Sequence, residues 1–161
     1  MKKSVYSIAI ALLFSCICVF PASVQALEPL QPDGKDRCAV CGMMVEPYPN
    51  WIAAVIFKDG SHNFFDGPKD LFNFVLNIQQ YRPGATLADI KEVQVTEYYT
   101  VQRHDAREVF FVAGSDVLGP MGQELVPIAG AVALKTFMLD HGFEKIMRFD
   151  GEDLSTVDPL P

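Results

Sequence analysis

The chain has 161 residues, 50% of them hydrophobic and 20% charged, with a formal net charge of -7 at pH 7. This length and apolar content suffice for one domain with its own core and exclude an intrinsically disordered protein. The acidic balance argues against proteins that bind nucleic acid or anionic lipid, because those depend on clusters of lysine and arginine.

The first 26 residues have the pattern of an export signal. Lys2 and Lys3 give a basic start, residues 5–20 form an apolar run, and Ala26 ends a small-residue cleavage site. The apolar run is too short for a membrane-spanning helix. We therefore expect residues 1–26 to be a signal peptide and the mature protein to lie in the periplasm.

A second processing route competes with this one. Leu13-Phe14-Ser15-Cys16 resembles a bacterial lipoprotein box, in which Cys16 would carry the lipid that anchors the protein to a membrane. Bulky Phe14 and the apolar residues 17–20 argue against it, since a lipoprotein sequence usually turns polar after the cysteine. Cleavage after Ala26 and lipidation at Cys16 remain alternatives.

The first half of the mature chain has the pattern of a leader followed by a hairpin and a helix. Residues 27–37, rich in proline, glycine and charge, predict an extended leader. A loop with Cys38 and Cys41 follows it. The elements expected next are a buried strand at 51–57, a turn at 58–61, a short strand at 62–65, and a helix at 68–79 with Asp66 as its N-cap.

The second half repeats this order. We expect a long strand at 93–101, a polar turn at 103–107, a strand at 109–113, an irregular loop at 119–122, a helix at 128–141 and a strand at 143–149. This order predicts an α+β fold of two ββαβ-like units, each a small sheet covered by one helix, with the long strand shared. The domain then spans residues 38–150, and residues 151–161 form a polar, poorly ordered tail.

Sulfur is concentrated in the segment Cys38-Ala39-Val40-Cys41-Gly42-Met43-Met44. Cleavage after Ala26 would leave Cys38 and Cys41 as the cysteines of the mature protein, too few for a fold held together by disulfides. Four hypotheses compete for this pair: a structural zinc site, a thioredoxin-like redox pair, a surface disulfide, and a soft-metal site.

Ligand number and context weigh against the first two hypotheses. A structural zinc site normally needs four ligands, and the sequence offers no second Cys-x-x-Cys and no paired histidines. A redox pair normally lies between a strand and a helix, whereas this pair lies between proline-rich segments. A disulfide suits an oxidising compartment but gives Met43 and Met44 no role.

A soft-metal site accounts for more of the segment. Met43 places a thioether two residues from the Cys41 thiol, and thiolate with thioether ligands selects Cu(I) over harder metals. Met121 is a further candidate, because it is a bulky residue in the otherwise small-residue loop Gly119-Pro120-Met121-Gly122. No Ser-His-Asp or paired-carboxylate spacing is evident, so no catalytic residue is predicted.

These segments resemble the NosL family, the accessory copper-binding proteins of nitrous oxide reductase. The resemblance covers nearly all of the mature chain and is carried by Cys41-Gly42-Met43, residues 110–116, residues 119–127 and His141-Gly142. It implies an exported Cu(I) chaperone, often anchored as a lipoprotein, that passes copper to a cuproenzyme or its assembly machinery. It also implies two ββαβ-type units.

Carried over by position, the resemblance makes Cys41 the thiolate ligand and adds Met43 and Met121 as thioethers from the two units. Cys38 departs from the family pattern and is either a fourth ligand or a disulfide partner of Cys41.

The function expected is a Cu(I) metallochaperone without enzyme activity. The alternative is a thiol-disulfide or organometal-handling enzyme that uses Cys38 and Cys41 as a reactive pair. A partner-binding module with an inert disulfide is the third hypothesis.

Overall fold

The computed structural model describes residues 29–158, so the predicted signal peptide and Cys16 lie outside the described residues. The strands are β1 (Ala53–Phe57), β2 (His62–Phe65), β3 (Ile90–Thr96), β4 (Arg103–Asp105), β5 (Phe110–Ala113), β6 (Leu118–Gly119), β7 (Gly122–Gln123), β8 (Val126–Ile128), β9 (Lys145–Phe149) and β10 (Leu154–Val157). The helices are α1 (Pro68–Leu76), α2 (Ile78–Tyr81) and α3 (Ala131–His141). Within residues 29–158, no helix has the length and apolar character needed to cross a bilayer.

The first unit is a four-stranded antiparallel sheet in the order β2-β1-β3-β4. Its centre is β1, whose β-branched and aromatic residues are almost all buried. The turn between β1 and β2 contains Asp59-Gly60, and Gly60 has a φ of 85°, which glycine adopts without strain. The hairpin predicted from this Asp-Gly pair is confirmed.

The second unit repeats the arrangement in the order β8-β5-β9-β10. In both units two antiparallel strands are followed by a helix and then by a third strand, which pairs with the first. A fourth strand pairs with the outer side of the third. The small hairpin of β6 and β7 is inserted between β5 and β8. The predicted α+β fold of two ββαβ-like units is therefore confirmed.

The main core joins the two units through α1. Phe72 on α1 is buried and packs its ring against Phe111 of β5 and Phe149 of β9, with centroid distances of 4.8 Å and 5.2 Å. A smaller cluster lies under α3, where Leu134 and Phe137 are fully buried. Aromatic packing between α1 and the second sheet thus fixes the start of α1, which carries the site described below.

Several predicted element boundaries were wrong in the first half. Within the described residues 29–158, no strand is shared between the two four-stranded sheets, because β3 ends at Thr96 and pairs with β1 and β4 of its own sheet. Residues 103–105, predicted as a turn, form β4, and the helix expected through residue 79 is interrupted at Asn77.

The second half also differs from prediction. Helix α3 begins at residue 131 rather than 128, because Ile128 belongs to β8. Val132, in the first turn of this helix, is 83% exposed. The loop at 119–122 is the turn of the β6–β7 hairpin, and the tail expected to be poorly ordered contains β10, paired with β9. The domain boundaries at residues 38 and 150 stay predictions.

Candidate metal centre

The segment from Cys38 to Met43 forms a tight loop closed by backbone hydrogen bonds. The Cys38 N–H donates to the Met43 carbonyl at 2.8 Å, and the Gly42 N–H donates to the Cys38 carbonyl at 2.9 Å. Gly42 has a φ of 78°, a conformation that favours glycine. Arg37 Nη1 adds a hydrogen bond to the Gly42 carbonyl at 3.0 Å. The spacing Cys-x-x-Cys-Gly-Met therefore matches the geometry of one closed turn.

This loop is docked on the edge of the first sheet. Cys38 forms a parallel bridge with Phe64 of β2, and the Ala39 N–H donates to the Phe64 carbonyl at 3.0 Å. Since Asp66 follows β2 directly and α1 begins at Pro68, the docking places the loop beside the first turn of that helix. Elements separated by more than 20 residues in sequence are thereby brought together.

Two thiols and two carboxylates meet where the loop faces the helix. Cys38 Sγ donates to Asp70 Oδ2 at 3.2 Å, and Cys41 Sγ donates to Asp66 Oδ1 at 3.4 Å. One ligand atom from each of the four residues lies within 4.8 Å of the other three. Cys38, Asp66 and Asp70 are buried, and Cys41 is half-buried. The arrangement is a compact group of four ligand atoms that is partly open at Cys41.

Burial raises the pKa of both thiols. For Cys38, the backbone N–H groups of Cys41, Asp66 and Val40 oppose this rise, and for Cys41 the backbone N–H of Met43 does the same. Both thiols therefore hold their protons near neutral pH, while the surrounding N–H groups are placed to stabilise thiolates once a metal displaces those protons.

The structure brings together some of the predicted ligands. Cys38 and Cys41 are adjacent free thiols, so no disulfide joins them, and Met43 is partly buried in the same loop. Met121 belongs to a different element, the turn of the β6–β7 hairpin, and half of its surface is exposed. Its role as a ligand stays a prediction.

The sequence profile of the NosL family matches residues 29–155, which is most of the chain. The chain belongs to the NosL family. Its structure is similar to the crystal structure of the copper chaperone NosL from Shewanella denitrificans, with a TM-score of 0.65, 23% sequence identity, and coverage of 76% of this chain and 93% of that chain. A search of the curated proteins finds no match. The predicted family and its fold are thus confirmed.

Sequence reasoning missed the two carboxylates of this NosL-family protein. Asp66 was predicted to be the N-cap of α1, but Gly67 holds that position, and the Asp66 side chain accepts from Cys41 instead. Asp70 lies in the first turn of α1, where an acidic residue also suits the positive end of the helix, so its sequence position alone does not indicate a role beside a thiol. The available signal was a pair of aspartates on either side of the helix start, one two residues before α1 and one in its first turn.

A third buried carboxylate fixes the β6–β7 hairpin to the same helix start. Glu124 Oε1 accepts from the Lys69 backbone N–H at 2.5 Å, and Lys69 Nζ donates to the Gln123 carbonyl at 2.6 Å. A Cβ on Gly67 would clash with the Glu124 carboxylate, so the carboxylate can take this position only beside glycine. The hairpin that carries Met121 is therefore anchored to the residues that follow Asp66.

Burial raises the pKa of Glu124 from 4.5 to about 7. Below pH 4.5 the folded and unfolded chains both carry the proton; between pH 4.5 and 7 only the folded chain keeps it, so stability falls as pH rises. We expect Glu124→Gln to remove this dependence of stability on pH and to stabilise the protein above pH 7 by up to about 3 kcal/mol. The amide oxygen can still accept from the backbone N–H groups of Lys69 and Leu125, as the carboxylate does.

The measurement is urea unfolding of both proteins from pH 4 to 8. The exposed carboxylate variant Glu144→Gln is the matched control and should follow the wild-type curve. If the curves of wild type and Glu124→Gln run parallel across this range, the ionisation of Glu124 does not affect folding as described.

Proposed function

We propose that this protein is a Cu(I)-binding metallochaperone that passes copper to a cuproenzyme or its assembly machinery, with nitrous oxide reductase maturation as the pathway served. Copper is its cargo rather than a resident cofactor. The observation that carries the proposal is the pair of adjacent free thiols of Cys38 and Cys41 in one loop with Met43. Thiolate and thioether ligands together favour Cu(I).

Membership of the NosL family supports this proposal, as does the similarity in fold to a protein described as a copper chaperone. The ligands proposed for Cu(I) are Cys38, Cys41, Met43 and Met121. The first three lie in the docked loop, and Met121 lies on the hairpin that Glu124 anchors to the start of α1. Export to the periplasm, with cleavage after Ala26 or a lipid on Cys16, completes the proposal.

The protonation of the thiols argues against the enzyme alternative. A reactive cysteine needs a lowered pKa, because the thiolate is the nucleophile. Here burial raises the pKa of both Cys38 and Cys41. A thiol-disulfide or organometal-handling enzyme would turn over its substrate without copper, whereas a chaperone would not, and a turnover assay on the metal-free reduced protein separates the two.

The chaperone proposal is tested by Cu(I) titration of the reduced protein under anaerobic conditions in competition with a chromogenic Cu(I) chelator. We expect the wild type to compete for Cu(I) and Met121→Ala to bind at least tenfold more weakly, because it loses a thioether ligand. Met44→Ala is the matched control, since Met44 is an exposed methionine next to the proposed ligands.

Each outcome of the titration has a distinct meaning. Equal affinities for wild type, Met121→Ala and Met44→Ala would remove Met121 from the ligand set and leave Cu(I) binding to the loop. A wild-type protein that does not compete at all would overturn the copper proposal. Delivery is then tested by incubating the loaded protein with a metal-free cuproenzyme and measuring how much copper is transferred.

A further inference from the structure

Helix α3 is apolar on the face that it turns to solvent as well as on the face that it buries. Leu134 and Phe137 are fully buried, whereas Val132 and Leu139 on the opposite side are 83% and 79% exposed. The outer face of a helix in a soluble protein normally carries charged and polar residues, and a helix that is apolar all round is normally covered. Among residues 29–158, nothing covers Val132 and Leu139, so this face has no partner within the chain.

The exposed residues have the spacing of a coiled-coil seam. Val132, Thr136 and Leu139 follow one another at steps of four and three residues, which places them along one line on the helix. The Thr136 hydroxyl donates to the Val132 carbonyl at 3.2 Å, so it keeps a hydrogen bond when the seam is covered. An apolar groove of about 540 Å³ runs beside the seam and is lined in part by Met138 and Phe143. The face thus offers a ridge and a groove to a second helix.

Two opposite charges flank this seam, one on each side. Lys135 lies three residues after Val132, and Asp140 lies one residue after Leu139. Because each residue turns the helix by about 100°, these two steps point to opposite sides of the seam. Both side chains are exposed, and among residues 29–158 neither forms an ion pair. In heptad positions the seam residues 132, 136 and 139 are d, a and d, Lys135 is g and Asp140 is e.

We propose that this face binds a second copy of the chain, with the two α3 helices packed in parallel around a two-fold axis that runs along the seam. A two-fold interface uses the same patch on both copies, so the patch must complement itself. In the parallel arrangement Lys135 of each copy faces Asp140 of the other, as g and e positions do in parallel coiled coils. In an antiparallel arrangement the same flanks would meet and place like charges together, so the charge pattern selects the parallel one.

The size of the seam sets the strength of this association. Helix α3 has 11 residues, about one and a half heptads, so the contact buries less than the roughly 800 Å² per partner of a standard stable interface. Burial of Val132 and Leu139 drives the association, and the flanking ion pairs mainly fix its orientation. We expect a reversible dimer with a dissociation constant on the order of 10–100 μM. The interface contains none of the proposed copper ligands.

Sedimentation velocity of the reduced, metal-free protein measures the association over concentrations from about tenfold below to about tenfold above this dissociation constant. Reductant prevents disulfides between copies. We expect the wild type to shift from monomer to dimer across this range and Leu139→Glu to stay monomeric, because that dimer would bury two carboxylates in the seam. Leu76→Glu is the matched control: Leu76, the last residue of α1, is 44% exposed, and this variant should associate like the wild type.

Charge variants test the parallel arrangement. Lys135→Glu and Asp140→Lys should each weaken the dimer by about threefold or more, since each variant places like charges opposite one another. An equal mixture of the two single variants should associate as the wild type does, because opposite charges face each other again in the mixed dimer. The double variant should recover in the same way, which a general loss of folding would not allow.

The outcomes separate this dimer from the copper function. A wild type that stays monomeric at the highest concentration, Leu139→Glu that associates like the wild type, or charge variants that do not recover in combination would overturn the proposal. So would a monomeric wild type that sediments with vesicles of phosphatidylethanolamine and phosphatidylglycerol through Leu139, since the face would then bind a membrane. Leu139→Glu should keep the circular dichroism and the Cu(I) affinity of the wild type, so loss of the copper function leaves the dimer untouched.

Discussion

Replacing Cys41 by alanine is expected to abolish tight Cu(I) binding and to leave the domain folded. Cys41 is half-buried and lies at the open side of the site, so the loss of its sulfur removes little packing. Its thiolate is the ligand on which the proposed loop site depends. We expect the affinity for Cu(I) to fall by at least roughly a hundredfold, because even residues that only support a ligand are worth 10–100-fold.

The measurement is chelator competition, with the thermal unfolding midpoint of the metal-free protein recorded for every variant. Cys38→Ala is the informative comparison, because Cys38 belongs to the buried core cluster. If Cys38 is a ligand, both variants lose affinity; if it is not, only Cys41→Ala does. Cys41→Ala with wild-type Cu(I) affinity would contradict the assignment of Cys41 and the chaperone proposal with it.

Local patterns predicted the hairpin and helix of the first unit because their signals are contiguous in sequence. The β-branched and aromatic composition of 51–57, the Asp-Gly turn and the apolar spacing that begins at residue 68 each specify one element without help from the rest of the chain. The same holds for the family resemblance, which rests on short segments such as Cys41-Gly42-Met43. These are the parts of the prediction that the structure and the family comparison confirm.

The missed strands lie at sheet edges, where sequence signals are weakest. Strand β8 contains Pro127, which lacks an N–H and normally argues against a strand, but β8 is the edge of its sheet and tolerates proline there. Strand β10 is the opposite edge, and its central residues Ser155 and Thr156 are exposed, so it has the composition of a polar tail. Pairing with β9, rather than its own apolar content, makes it a strand.

The carboxylate half of the candidate site was missed because it depends on contacts across the chain. Asp66 before a helix has the pattern of an N-cap, and only the docking of the cysteine loop on Phe64 turns its side chain toward a thiol. The contacts span 25 residues for Asp66 and 32 for Asp70. No spacing rule for metal ligands links positions that a sheet edge brings together.

Replacing Phe72 by alanine is expected to lower the free energy of unfolding by about 3–5 kcal/mol. Phe72 is only 2% exposed, and its ring packs edge-on against Phe111 and at a tilt against Phe149, so truncation leaves a cavity between α1 and the second sheet. Since domains of this kind are stable by only about 5–15 kcal/mol, this single loss removes a large share of the total.

Urea unfolding followed by far-ultraviolet circular dichroism measures the effect, with the slope against urea as a check that both proteins unfold in one step. Phe143→Ala is the matched control, because Phe143 is partly exposed and the same truncation there should cost less than about 1 kcal/mol. Phe72→Leu should give an intermediate loss, since leucine fills part of the space. Helix propensity cannot cause this loss of stability, because alanine favours the helix more than phenylalanine does and would by that effect alone stabilise α1. Equal losses for Phe72→Ala and Phe143→Ala would therefore contradict the view that packing at Phe72 joins the two units.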